Sequence, residues 1–124
     1  MKRALLVLAH GSKAEGTQDV IFKVRERIKF KNIYDDVRVA FLQFNRPGIK
    51  EAIEGLYKDG IKDIVTVPMF LFEGNHIIHD IPQELKKAKE AHPDFRISLA
   101  KPIGYDERIV DIITERAEGE QWEI

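Results

Sequence analysis

The sequence of 124 residues has no cysteine, one tryptophan, five prolines and eight glycines. Without thiols it can form no disulfide framework, no thiolate zinc site and no cysteine nucleophile, and it fits a reducing cytoplasm. An excess of charge is also missing: 20 Lys and Arg stand against 21 Asp and Glu, for a net charge of −1. No global basic field therefore marks nucleic acid or an anionic membrane as the main partner. No apolar segment approaches the roughly 18 residues that a membrane span needs. Met1-Lys2-Arg3 and the short run behind it superficially look like a signal peptide, but His10-Gly11-Ser12 is a poor cleavage site. The expectation is one soluble, cytoplasmic domain over residues 1–124, long enough for a real core.

What is present begins with Ala4-Leu5-Leu6-Val7-Leu8-Ala9, which runs straight into His10-Gly11-Ser12. A continuous run of this kind reads as a central strand buried on both faces. In an open α/β sheet, ligands bind outside the carboxyl ends of the strands, which is where His10 falls. Taken alone, His10 is either a functional imidazole or a loop residue that caps the next helix.

Further along, Val20, Ile21, Val24 and Ile28 mark one face of a helix over Thr17 to Phe30. Val37 to Phe44 reads as a second strand. Asn45-Arg46-Pro47 starts a helix, with Asn45 as its cap, that carries Ile49, Ala52, Ile53 and Leu56 inward and stops at Gly60. Ile61 to Phe72 is a third strand, ended or bulged at Pro68. Asp80-Ile81-Pro82-Gln83 reads as a capped helix start, and His92-Pro93 as that helix's end. Phe95 to Ala100 is a fourth strand, and Asp106 caps a last helix through Ile109, Ile112 and Ile113. Residues 118–124 form a polar tail, expected to be loose, with Trp122 its exception. There is no linker or repeat. The βαβαβαβα order predicts an α/β fold: a four-stranded, mainly parallel sheet with helices on both faces and strand one central, as in flavodoxin-like sheets.

The strand ends collect His10, Ser12 and Lys13; Gln43, Asn45 and Arg46; Phe70, Phe72, Glu73, His76, His79 and Asp80; and Lys101. Three of the four histidines share this edge, while His92 is at the opposite end as a helix terminator. Two imidazoles without a thiolate suit a borderline divalent metal such as cobalt, nickel or zinc. Lys13, Arg46 and Lys101 suit an anionic ligand. Each has a plainer reading. His76 and His79 share a side only if that segment is helical, Asp80 is a cap before it is a ligand, Glu73 is a solvated loop residue, and loop cations are commonly just solvated. Phe70 and Phe72 are core on one face or pocket wall on the other. Ala9 stands where a histidine phosphatase would want an arginine, and no Gly-x-Ser-x-Gly elbow is present.

Four blocks, taken together, are more specific: Ala9-His10-Gly11-Ser12; Ala40 to Pro47; Val67 to His76 leading into Asp80-Ile81-Pro82; and Lys101 to Gly104 with Asp106 and Arg108. In order, from Leu5 to about Ala117, they resemble the short-form, archaeal-type sirohydrochlorin cobaltochelatases of the class II tetrapyrrole chelatase superfamily. The resemblance implies insertion of Co²⁺, or in some relatives Ni²⁺, into sirohydrochlorin during cobalamin or related tetrapyrrole synthesis. It implies a chain similar to one half of the two-domain enzymes that works as a homodimer, and it places the metal-site histidines at His10 and His76. Two positions depart from the family: Gln43 where an acid is common, and Lys13 where arginine is frequent. An amide cannot take a proton. The chemistry suits the residues: a neutral imidazole can hold the ion or accept a pyrrolic proton. Ser12, Lys13, Arg46 and Lys101 would hold the carboxylates of the substrate, and Phe70 and Phe72 its macrocycle. The competing reading is a non-catalytic metal or tetrapyrrole carrier on the same fold.

Overall fold

Seven residues, Arg3–Ala9, form the strand β1, and six of them are buried. The structure, a computed structural model, describes residues 2–72 and 74–124 and their side chains except those of Thr17, Asn75, His76, Ile77 and Ile78. The elements alternate without exception: β1, α1 (Thr17–Phe30), β2 (Asp36–Phe41), α2 (Ile49–Lys58), β3 (Asp63–Pro68), α3 (Asn75–Ala91), β4 (Arg96–Leu99) and α4 (Glu107–Glu118). The strands are parallel in the order β2-β1-β3-β4, so the most apolar strand is interior, as its composition predicts.

Alternation along the strands sorts the core into two layers. Leu6 and Leu8 face α2 and α3, where Ile49, Ala52, Ile53 and Leu56 meet Ile81 and Leu85. Leu5 and Val7 face the other way, joining Val37, Val39 and Phe41 beneath Ile21 of α1. Burying each Leu or Val side chain of this kind is worth about 1.5–3 kcal/mol. Thr66 is the one buried polar side chain among the described residues, and its hydroxyl donates to the Ser98 carbonyl at 2.8 Å.

Several boundaries differ from the sequence reading. β2 stops at Phe41 rather than Phe44: Leu42 and Gln43 still donate to the carbonyls of Ala9 and His10, but Phe44 turns to φ +66°. Asn45 is not the cap of α2. That helix starts after Gly48, whose amide donates to Glu51. β3 is Asp63–Pro68 rather than Ile61 to Phe72, and of the two outcomes expected at Pro68, an end or a bulge, it ends there. α3 begins at Asn75, so Asp80 lies inside the helix rather than at its cap. The reason is legible afterwards: Ile78, Ile81, Leu85 and Ala88 recur at helical spacing through Pro82, which withdraws a single amide from the ladder. Asp106 does cap α4, accepting from the Arg108 amide at 2.9 Å. The Arg108 guanidinium against it holds its carboxyl below the usual carboxylate range. Val20, expected to face inward on α1, is 57% exposed, and α4 buries none of its residues. Among the described residues, no helix is long and apolar enough to cross a membrane.

Candidate functional site

In the order β2-β1-β3-β4 the chain leaves β1 toward one edge and β3 toward the other. The carboxyl ends of these neighbouring strands therefore form the switch point at which such sheets hold ligands. The loop after β1 carries His10, and the segment after β3 carries Phe70 and leads into α3. His10 is exposed, yet its ring is seated at 4.2 Å from that of Phe70, which is only 5% exposed and belongs to the core.

The backbone around His10 is tied to the turn after β2. Gln43 donates its amide to the His10 carbonyl at 3.1 Å, and Asn45 Oδ1 accepts the Ser12 amide at 2.7 Å. Gly11 sits between them at φ +87°, and a Cβ there would stand 1.8 Å from the Gln43 carbonyl oxygen. Only glycine fits this approach. Asn45 has the local chemistry of a helix cap, but its side chain instead fastens the loop that presents His10. Asn45→Ala should therefore lose about 1 kcal/mol of stability for the orphaned amide. Any activity that depends on His10 should fall severalfold, while Asn45→Asp, which keeps the acceptor, should recover most of both. Melting curves beside activity assays check this, and an alanine variant equal to the parent in both would reject the clamp.

Above this loop, between the first turn of α2 and the middle of α3, is a cleft of about 740 Å³. That volume is in the range of small-molecule sites, roughly 300–1,000 Å³. His10 and Gln43 line it from the strand ends, Lys50 and Glu51 from α2, and Asp80, Gln83, Glu84 and Lys87 from α3. The α3 residues form one stripe at helical spacing. Extended back one turn, the stripe reaches position 76. The His76 side chain lies outside the described residues, as does Glu73. His79, one helical turn after position 76, is exposed. Among the described residues, no three His, Asp or Glu side chains gather as a metal site.

The remaining residues singled out in the sequence are not part of the cleft lining. Ser12 is half-buried and its hydroxyl accepts the Ala14 amide at 3.0 Å. Lys13 lies 5.1 Å over the Phe44 ring. Arg46 is paired with Glu51, whose carboxyl the guanidinium and the Gly48 amide hold below its ordinary range. Lys101 is exposed, and so is Phe72, at 80%. Phe70 is the floor beneath His10 rather than an open wall. His92 does more than end α3: it bonds Glu54 at 2.9 Å and stacks on Tyr57 at 3.9 Å, joining α3 to α2 at the far end of the sheet. The α3 contribution to the cleft is hidden in the sequence because the Asp-Ile-Pro run has the form of a helix start although it lies inside α3. The i, i+3, i+4, i+7 spacing of Asp80, Gln83, Glu84 and Lys87 was the signal that could have found it.

Comparison with known proteins points the same way. A protein named sirohydrochlorin cobaltochelatase from Methanococcus aeolicus is 36% identical over 140 aligned positions, covering 94% of this chain and 98% of that one. One from Bacillus subtilis named sirohydrochlorin ferrochelatase is 34% identical over 94% of this chain but only 44% of its own. The crystal structure of the sirohydrochlorin chelatase SirB from Bacillus subtilis subspecies spizizenii, in complex with cobalt, superposes with a TM-score of 0.88 at 34% identity, over 95% of this chain and 50% of that one. The sequence profile of one family, CbiX, matches residues 4–120. With that match over nearly the whole length, and relatives this similar aligned almost end to end, the chain belongs to the CbiX family.

Proposed function

We propose that this chain is a metal chelatase that inserts Co²⁺ into sirohydrochlorin, with Ni²⁺ as the alternative ion, in cobalamin or related tetrapyrrole biosynthesis. The observation that carries the reading is His10, standing on a buried phenyl ring at the floor of a cleft at the sheet's switch point. The reaction takes a divalent ion and a macrocycle with two pyrrolic N–H groups to the metallated ring and two protons. The ion must shed water while a base receives those protons. An exposed imidazole can do either, as ligand or as proton acceptor. His76 is assigned the partner role because the α3 stripe that lines the cleft leads back to its position. Lys50 supplies a cation for the peripheral carboxylates of the substrate, while Glu51 and Glu84, paired with Arg46 and Lys87, make the rim one of mixed charge. Ser12, Lys13, Arg46, Phe72 and Lys101 border the same edge and are assigned to the outer parts of the macrocycle. The protein works in the cytoplasm as a symmetric homodimer.

The decisive experiment mixes the purified protein with sirohydrochlorin and Co²⁺, Ni²⁺ or Fe²⁺ in separate reactions and follows the absorption change. Multiple turnovers, fastest with Co²⁺, are expected. Stoichiometric binding without turnover would reject catalysis in favour of a carrier.

Gln43 lines the cleft and is exposed, so a carboxylate there would carry little desolvation cost. Gln43→Glu should leave the melting temperature unchanged and raise the insertion rate, by no more than about 10²-fold because imidazole is already available. An unchanged or lower rate would mean that the amide is not standing in for a proton acceptor.

A further inference from the structure

We propose that Phe44 and Lys13 form a second contact for the substrate outside the cleft: the phenyl ring takes the face of the macrocycle, and the ammonium takes one of its peripheral carboxylates. This rests on the chelatase reading and deepens it, by naming the pair that sets affinity for a flat polycarboxylate.

At Phe44 the backbone and the side chain disagree. The positions of positive φ among the described residues are Gly11, Gly16, Gly60 and Gly104, Asn32 and, at +66°, Phe44. Glycine has no Cβ to clash in that conformation and asparagine tolerates it, but for a bulky side chain it is an outlier. The Asn45 amide donates to the Gln43 carbonyl at 2.8 Å, closing a three-residue turn centred on Phe44, a rare and strained kind at positive φ. That turn needs the dihedral but not the ring. The core does not use the ring either: Phe44 is 59% exposed and belongs to neither of the two buried layers. A side chain held at a strained position without core packing in return marks a functional surface.

The position and the neighbour say what that surface takes. Gln43, the residue before Phe44, lines the cleft, and its amide is bonded to the His10 carbonyl. The ring therefore stands at the rim, beside the loop that carries the imidazole. Lys13, from that same loop, holds its ammonium 5.1 Å over the ring centroid and has no ion pair among the described residues. Arg46, two residues after Phe44, is by contrast already paired with Glu51. Lys13 and Phe44 are both exposed, so the contact between them is weak and yields to a ligand. A phenyl face prefers offset stacking on another flat π system, and an unpaired ammonium prefers a carboxylate. A flat macrocycle edged with carboxylates meets both at once.

Phe44→Gly separates strain from binding. Its melting temperature should be unchanged or raised by about 2–4 °C, because glycine takes the turn freely. Titration of metal-free sirohydrochlorin, followed by the tetrapyrrole's own fluorescence, should show binding weakened about 10-fold, as for one lost ring contact. In the Co²⁺ insertion assay KM should rise by a similar factor with kcat within about twofold of the parent, since the contact is made in ground state and transition state alike. Phe44→Tyr, which keeps the ring, should bind as the parent does. Lys13→Gln should weaken binding severalfold and flatten its dependence on salt. A lowered melting temperature in Phe44→Gly would make the ring structural and overturn the proposal. So would an unchanged affinity, or a fall in kcat at an unaltered KM. A parent protein that binds sirohydrochlorin without metallating it rejects the chelatase reading alone, and the titration still decides the pair; one that does not bind it rejects both.

Discussion

Replacing His10 by alanine should lower metal insertion by about 10²-fold or more, the usual worth of a positioned proton acceptor, and should leave the protein folded. The imidazole is exposed and meets the core at the Phe70 ring, so its removal forfeits a ring contact of about 0.5–1.5 kcal/mol. His76→Ala should produce a loss of similar size, and His79→Ala a smaller one. The measurement is the initial rate of Co²⁺ insertion into sirohydrochlorin, with melting curves as the control for folding. Full activity in both the His10 and His76 variants would overturn the site. A His79 loss equal to that of His76 would move the partner role along α3.

The second large effect is at Gly11, where a methyl group would be driven into the Gln43 carbonyl oxygen. The left-handed backbone there costs any L side chain about 1–2 kcal/mol before the clash is counted. The loop cannot keep its bonds from Gln43 and Asn45 and also make room. Gly11→Ala should therefore lower the melting temperature by about 10 °C or more. Activity should fall at temperatures where the variant is still folded, because His10 is carried by the displaced peptide. A variant that melts early but inserts metal at the parental rate when cold would show that the loop stabilises the fold without placing the imidazole.

Where local chemistry and tertiary packing agree, the fold was readable from the residues. The run from Ala4 to Ala9 reads as an interior strand and is one, Pro68 marks a break in β3 and ends it, and Asp106 caps α4 as its chemistry suggests. Where two local signals competed, the reading failed. Asn45 has the chemistry of a cap but spends its acceptor on Ser12, and Asp80-Ile81-Pro82 has the chemistry of a helix start but lies within one. A side chain that serves a distant backbone amide looks the same in a sequence as one that serves its own helix. The same holds for Phe70 and Phe72, two residues apart: one is beneath the histidine and the other in solvent. The place of His10 at the cleft is legible because it follows the central strand directly, whereas the acidic and basic lining from α3 is legible only once that helix is seen to run unbroken from Asn75.

The contact between His10 and Phe70 has a thermodynamic consequence. A free surface histidine samples several rotamers, and freezing one on binding costs about 0.5–1.5 kcal/mol. Here the ring rests on a phenyl group fixed in the core, so much of its rotational freedom is already surrendered when the chain folds. On the chelatase reading proposed above, the site would meet its ion in a preorganised state, and the entropy of ordering the ligand would be charged to the stability of the protein rather than to the binding step.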